Sequence, residues 1–231
     1  MQNETGSNVS NSNDITKLEA EVRNAVAQGD NVQETVRRLT LTALSAQHDL
    51  ESLRRIMTAV MQGVREGVQQ PLQQATAQAH TAQTQITNAV AGLDAALAQL
   101  AEASKLALEE AAGRAQKFSH EELAHARADL ESLEALFLDT LQVSASAAKG
   151  LVADTLHDLA SHAKHNGTAV GTQLKDTLTT FTQQMTLVGH AQLDAGVQLT
   201  HATADLLRKI AAGVLSGLTE RVKSSGKAKD D

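Results

Sequence analysis

From Ile15 to Val64 the apolar residues recur three and four positions apart: Ile15, Leu18, Val22, Ala25, then Val36, Leu39, Ala43, Ala46, Leu50, Leu53, Met57, Val60 and Val64. That spacing gathers them on one side of an α-helix but scatters them over both faces of a strand, so it selects long amphipathic helices. A repeat near 3.5 residues is the seam of a helical bundle or coiled coil. A second run, in a shifted phase, joins Leu72, Ala75, Ala79, Ala82, Ile86, Ala89, Leu93, Ala96 and Leu100. The expected fold is all-α: long amphipathic helices forming an elongated bundle or coiled coil between disordered tails.

Punctuation divides this pattern. Gly29-Asp30-Asn31 is a turn-like cluster, with Asp30 a candidate cap for a helix starting near Val32, although the unbroken phase also admits a kink. Pro71 lacks an amide proton and disfavours helix in the residue before it, which puts a helix end between Gly67 and Pro71. Residues 14–117 therefore read as heptad-patterned helices with breaks near 29–31 and 68–71. A single long helix is expected over 118–166, closed by Asn166-Gly167. Another follows over 167–222 with a stripe nearer 3.6 residues: Val170, Leu174, Phe181, Met185, Val188, Ala195, Leu199, Leu206 and Ile210. The Asn/Ser-rich residues 1–13 and the charged residues 223–231 read as disordered tails.

Composition narrows the function classes. Hydrophobic residues make up 42% of the 231, yet there are three Phe, no Tyr, no Trp and a single Pro, so Ala, Leu and Val carry the apolar mass. Small seam residues allow close helix approach but bury little area each. A net charge of −7 without aromatic platforms argues against nucleic acid as a partner. The absence of cysteine removes disulfides, thiolate metal sites and thiol catalysis, and fits a reducing compartment. No apolar run reaches the roughly 20 residues of a transmembrane helix, and the first residues lack the features of a secretory signal, so a cytoplasmic location is expected.

The stretch His120-Glu121-Glu122-Leu123-Ala124-His125 resembles the HExxH zinc motif with one residue too many. Histidines five apart diverge by about 140° around a helix, so they cannot share a metal. The same letters form a helix start: Ser119 as N-cap with Glu122 closing a capping box, and Phe118 stapled onto Leu123. Asp154, Asp158, His162 and His165 share one helix face at chelating spacings. They also lie opposite Val152, Leu156, Leu159 and Ala163, where a solvated face belongs. No nucleophile motif or phosphate loop is present, so no catalytic residue, cofactor or enzymatic activity is expected.

Gly63-x3-Gly67, Gly167-x3-Gly171 and Gly213-x3-Gly217 have the spacing of close helix contacts. In the last helix Thr172, Gln173, Thr177, Thr179, Thr180, Gln183 and Gln184 form a polar face with few charges. Its largest apolar cluster, Leu206, Leu207, Ile210, Val214, Leu215 and Leu218, is the expected contact surface for a hydrophobic granule, a lipid-like surface or a partner. The alternative for this helix is a bundle core.

The segments LALEEAAGRAQKFSHEELAHARADLESLEALFLDTL and GLVADTLHDLASHAKHNGTAVG resemble an uncharacterised bacterial family of Ala-rich helical proteins, which implies architecture and no activity. Over residues 72–222 the Ala/Gln/Thr-rich, Cys-free composition, with AAGVLSGL near the end, also resembles phasins. That resemblance implies a homo-oligomeric coat on polyhydroxyalkanoate granules, and no site residues come with it. The expected function is a non-enzymatic scaffold or surface coat. The alternatives are a purely structural self-associating bundle and, more distantly, a metal sensor using Asp154 to His165.

Overall fold

The periodic segments form seven α-helices among the residues that the computed structural model describes, which are 4–46, 49–72, 79–113, 117–118, 120–194 and 201–202. They are α1 (Glu4–Gln28), α2 (Val32–Ala46), α3 (Leu50–Leu72), α4 (Ala79–Gly113), α5 (His120–Ala147), α6 (Leu151–Asn166) and α7 (Ala169–Asp194). Two-residue strands β1 (Lys117–Phe118) and β2 (His201–Ala202) pair in parallel. The fold is all-α, as the periodicity predicts.

The helices divide into two compact units. The first comprises Met1–Ala96 and Leu136–Thr168, and the second Leu97–Ala135 and Ala169–Asp231. Helices α4 and α5 thus contribute residues to both.

In the first unit the seam residues Leu18, Val22, Ala25, Val36, Leu39, Leu53, Met57, Val60 and Val64 are buried. Burial extends past the seam to Val26, Leu41, Leu44, Ile56, Met61 and Val68. A stripe that wide is the face of a globular bundle and exceeds a two-stranded seam. Residues of α1 from Asp14 to Glu21 lie beside Leu39 to Ala43 of α2, so the chain reverses at residues 29–31 and α2 folds back on α1. Gly29 and Asn31 carry the turn with φ of 80° and 48°. Asn31, rather than Asp30, directly precedes α2, and its carbonyl accepts the first helical bond, from Thr35 N–H at 3.0 Å.

Helix α3 packs on α1 through Gly63 and Gly67. A Cβ on Gly63 would lie 2.6 Å from the Glu19 carbonyl oxygen, and one on Gly67 would lie 2.7 Å from that of Arg23. The two glycines sit one turn apart and face two carbonyls one turn apart, so the backbones touch along a line. Arg23 of α1 also pairs with Glu66 of α3 at 3.2 Å.

Four boundaries before α7 differ from expectation. Helix α1 begins at Glu4, across residues read as a disordered tail, because extending a nucleated helix costs far less than starting one. Helices α2 and α3 are separate although Ala46 and Leu50 keep the seam in phase. Asp49 caps α3, its Oδ1 accepting the Ser52 N–H at 2.8 Å. Helix α3 passes Pro71 and ends at Leu72, where the missing amide costs one bond in the final turn. The long helix expected over 118–166 is two helices, α5 and α6, divided at Ala148-Lys149-Gly150, with Gly150 at φ 57°.

Candidate functional site

The single helix expected over 167–222 is, among the described residues, α7 over Ala169–Asp194, and His201–Ala202 form β2, so the expected helix does not run unbroken past residue 200; α7 belongs to the second unit. Its stripe residues Val170, Leu174 and Phe181 are buried there, together with Thr177, which the sequence places on the polar face. Thr177 is 0% exposed because its hydroxyl has somewhere to go. It reaches the Ala101 carbonyl of α4 at 3.1 Å and the Gln173 carbonyl of its own helix at 3.0 Å. Thr172, Thr179 and Gln183 are exposed, and Gln173, Thr180 and Gln184 are partly covered.

Helix α7 meets α5 at Thr182 and at Gly171. Arg127 Nη1 donates to Thr182 Oγ1 at 3.2 Å. In the first turn of α7, the carboxylate of Glu134 rests against Gly171, where a Cβ would lie 2.5 Å from the carboxyl carbon and 2.7 Å from Oε2. A helix start has unsatisfied N–H groups and partial positive charge, so a carboxylate from another helix is stabilising there. Nothing in the local sequence marks Glu134 for this role. Gly171, an interior helix glycine, is the only trace of it.

The apolar cluster Leu206, Leu207, Ile210, Val214, Leu215 and Leu218 lies outside the described residues. So do Ser119 and the Glu122 side chain of the expected capping box. Helix α5 does begin at His120, directly after Ser119, and Leu123 is buried, while Phe118 is part of β1.

Asp154, Asp158, His162 and His165 are all exposed on α6, opposite the buried Val152, Leu156 and Ala160. His165 Nδ1 donates to the Ser161 carbonyl at 2.7 Å, and Asn166 Nδ2 lies 2.8 Å from His162 Nδ1. Both rings are thus engaged within their own helix turn. Among the described residues no three His, Asp or Glu side chains converge as metal ligands.

In the first unit a cavity of about 260 Å3 opens between α1, α2 and α3, with Ile15, Leu18, Leu39 and Ile56 forming its apolar lining and Asp14 and Lys17 beside them. It suits a small apolar group and contains no histidine or nucleophile–base pair. No described helix is long and apolar enough to cross a membrane.

The chain belongs to a family of unknown function, DUF6781, whose model matches residues 8–224. The match spans both units. No curated protein and no solved structure matches the chain.

Proposed function

We propose that this protein is a non-enzymatic helical scaffold that coats a hydrophobic surface in the manner of phasins, adsorbing through the apolar run Leu206 to Leu218. The observation that carries this reading is the anchoring of α7: Val170, Leu174 and Phe181 are buried, while the same stripe continues in sequence to Leu199, Leu206 and Ile210. The chain thus has α7 fixed in a bundle and its largest apolar cluster in a later stretch of sequence, beyond β2. Adsorption by an amphipathic helix scales with the apolar area it buries, and Leu206, Leu207, Ile210, Val214, Leu215 and Leu218 offer more than the Ala-dense segments before them. Low charge over the polar face favours a neutral surface over an anionic membrane. A cytoplasmic homo-oligomer is the form in which such a coat works.

A second reading is a self-associating structural bundle with no surface ligand. It is supported by the inward placement of Val170, Leu174, Thr177 and Phe181. Flotation on triolein emulsions and on polyhydroxybutyrate particles separates the two. The full chain should float with the particles, and a chain lacking 206–222 should remain behind. If neither floats and the deletion alters only oligomer size by light scattering, the surface reading fails and the bundle reading stands.

A further inference from the structure

Between Val170 and Phe181 the stripe of α7 is turned into the second unit, so this apolar length is withheld from any surface that the later run Leu206 to Leu218 adsorbs to. The contacts holding it there differ in kind. Thr177 to Ala101 is a neutral hydrogen bond, and Arg127 to Thr182 is exposed, so both are weak ties. Beyond Phe181, Thr182, Gln183 and Thr186 are exposed and Gln184 and Met185 only partly covered. Side-chain burial therefore holds α7 from Val170 to Phe181, and one charged contact adds to it in the first turn. There the Glu134 carboxylate meets the positive end of the helix at Gly171.

Gly171 costs α7 helix propensity relative to alanine. Its geometric return is room: any Cβ at this position would occupy the space of the Glu134 carboxylate. The group it would displace is the end of a flexible side chain, which can swing away without moving backbone. The clamp can thus be opened while the rest of the unit stays folded.

We infer that Glu134 and Gly171 form a clamp that helps keep α7 docked, and that opening it makes release of Val170, Leu174 and Phe181 more frequent, extending the adsorbing surface. This rests on the surface-coating reading for its purpose, though the clamp itself does not.

Hydrogen exchange on the full-length protein tests the clamp, and flotation on triolein emulsions tests its consequence. Glu134→Ala should speed exchange over residues 169–181 roughly fivefold, the loss expected for one capping and dipole interaction. Helices α1 to α3 should be unchanged. In Gly171→Ala the same loss is set against a gain of similar size in alanine helix propensity, so exchange should stay within about twofold of wild type. In the double variant the alanine has space, so exchange should fall about fivefold below that of Glu134→Ala alone. The comparison is decisive, because a glycine that only weakened α7 would make its replacement slow exchange by the same factor with or without Glu134. Glu134→Ala should also raise the droplet-bound fraction. Equal slowing by Gly171→Ala in the two backgrounds, or unchanged exchange in Glu134→Ala, overturns the clamp. Faster exchange with an unchanged bound fraction, in a protein that does bind, overturns the gating role. If no variant and no wild-type protein binds droplets while exchange behaves as expected, the surface reading fails and the clamp stands.

Discussion

The hydroxyl of Thr177 on α7 donates to the main-chain carbonyl of Ala101 on α4 at 3.1 Å, inside the second unit. A threonine amid Val170, Leu174 and Phe181 interrupts an apolar stripe, and burial of its hydroxyl is tolerable only because acceptors are in reach. The second bond, to the Gln173 carbonyl, keeps the hydroxyl satisfied within its own helix when α7 is apart from α4. Thr177→Val keeps the shape and removes both. The Ala101 carbonyl remains bonded within α4, so the loss should be modest, about 1 kcal/mol in urea denaturation.

The line of contact between α1 and α3 predicts a larger effect. Gly63→Ala and Gly67→Ala each place a methyl group against a main-chain carbonyl, of Glu19 and Arg23 respectively, and backbone cannot rotate aside as a side chain can. Alanine gains about 1 kcal/mol of helix propensity, but overpacking between two helix backbones costs roughly 1–3 kcal/mol or more. Each substitution should lower the thermal midpoint. A rise would mean that the helices separate freely at these points.

Phe181→Ala should cost about 3–5 kcal/mol, because the ring is fully buried and its removal leaves a cavity. The change should promote exchange along α7 while leaving Val22, Met57 and Val64 packed in the first unit. Near-uniform destabilisation of α1 to α3 by hydrogen exchange would contradict that expectation.

Periodicity made the core legible. Leu18, Val22, Met57, Val64, Ile86, Leu93, Val170 and Leu174 are all buried, because a three-four spacing states which face must leave water. Gly63 and Gly67 could be read as a close-contact pair for a similar reason. Breaks were harder where the pattern ran on through them. Ala46 and Leu50 keep phase across the α2–α3 boundary, and the apolar residues either side of Gly150 still satisfy a helical repeat. Burial fixes a residue's face but leaves chain continuity unspecified. The Glu134–Gly171 contact was illegible because it joins two helices whose pairing no local sequence signal specifies. Thr177 was misread because a threonine with a buried acceptor looks, in sequence, like a threonine facing solvent.

Asp49 sets a pH dependence with a definite sign. Partial burial pushes its carboxyl up, but hydrogen bonds from the Ser52 side chain and main-chain N–H, and from its own N–H, together with the charge of Arg55, outweigh this and hold it below 3.8. A carboxyl lowered by folding stabilises the folded state above its unfolded value and loses that contribution as pH falls through the folded one. The α3 cap should therefore be at full strength at neutral pH and weaken as pH drops below about 3.8. Asp49→Ala should cost about 1 kcal/mol near pH 7, the usual loss for an N-cap carboxylate. The difference from wild type should shrink in acid, because protonation removes from the wild type the charge that the variant already lacks. Asp49→Asn, which caps without titrating, should retain most of the stability and show none of this acid-dependent convergence. Denaturation midpoints of the three proteins between pH 7 and pH 3 measure the effect, and a wild-type–alanine gap that stays constant over that range would show that the Asp49 charge contributes nothing to the cap.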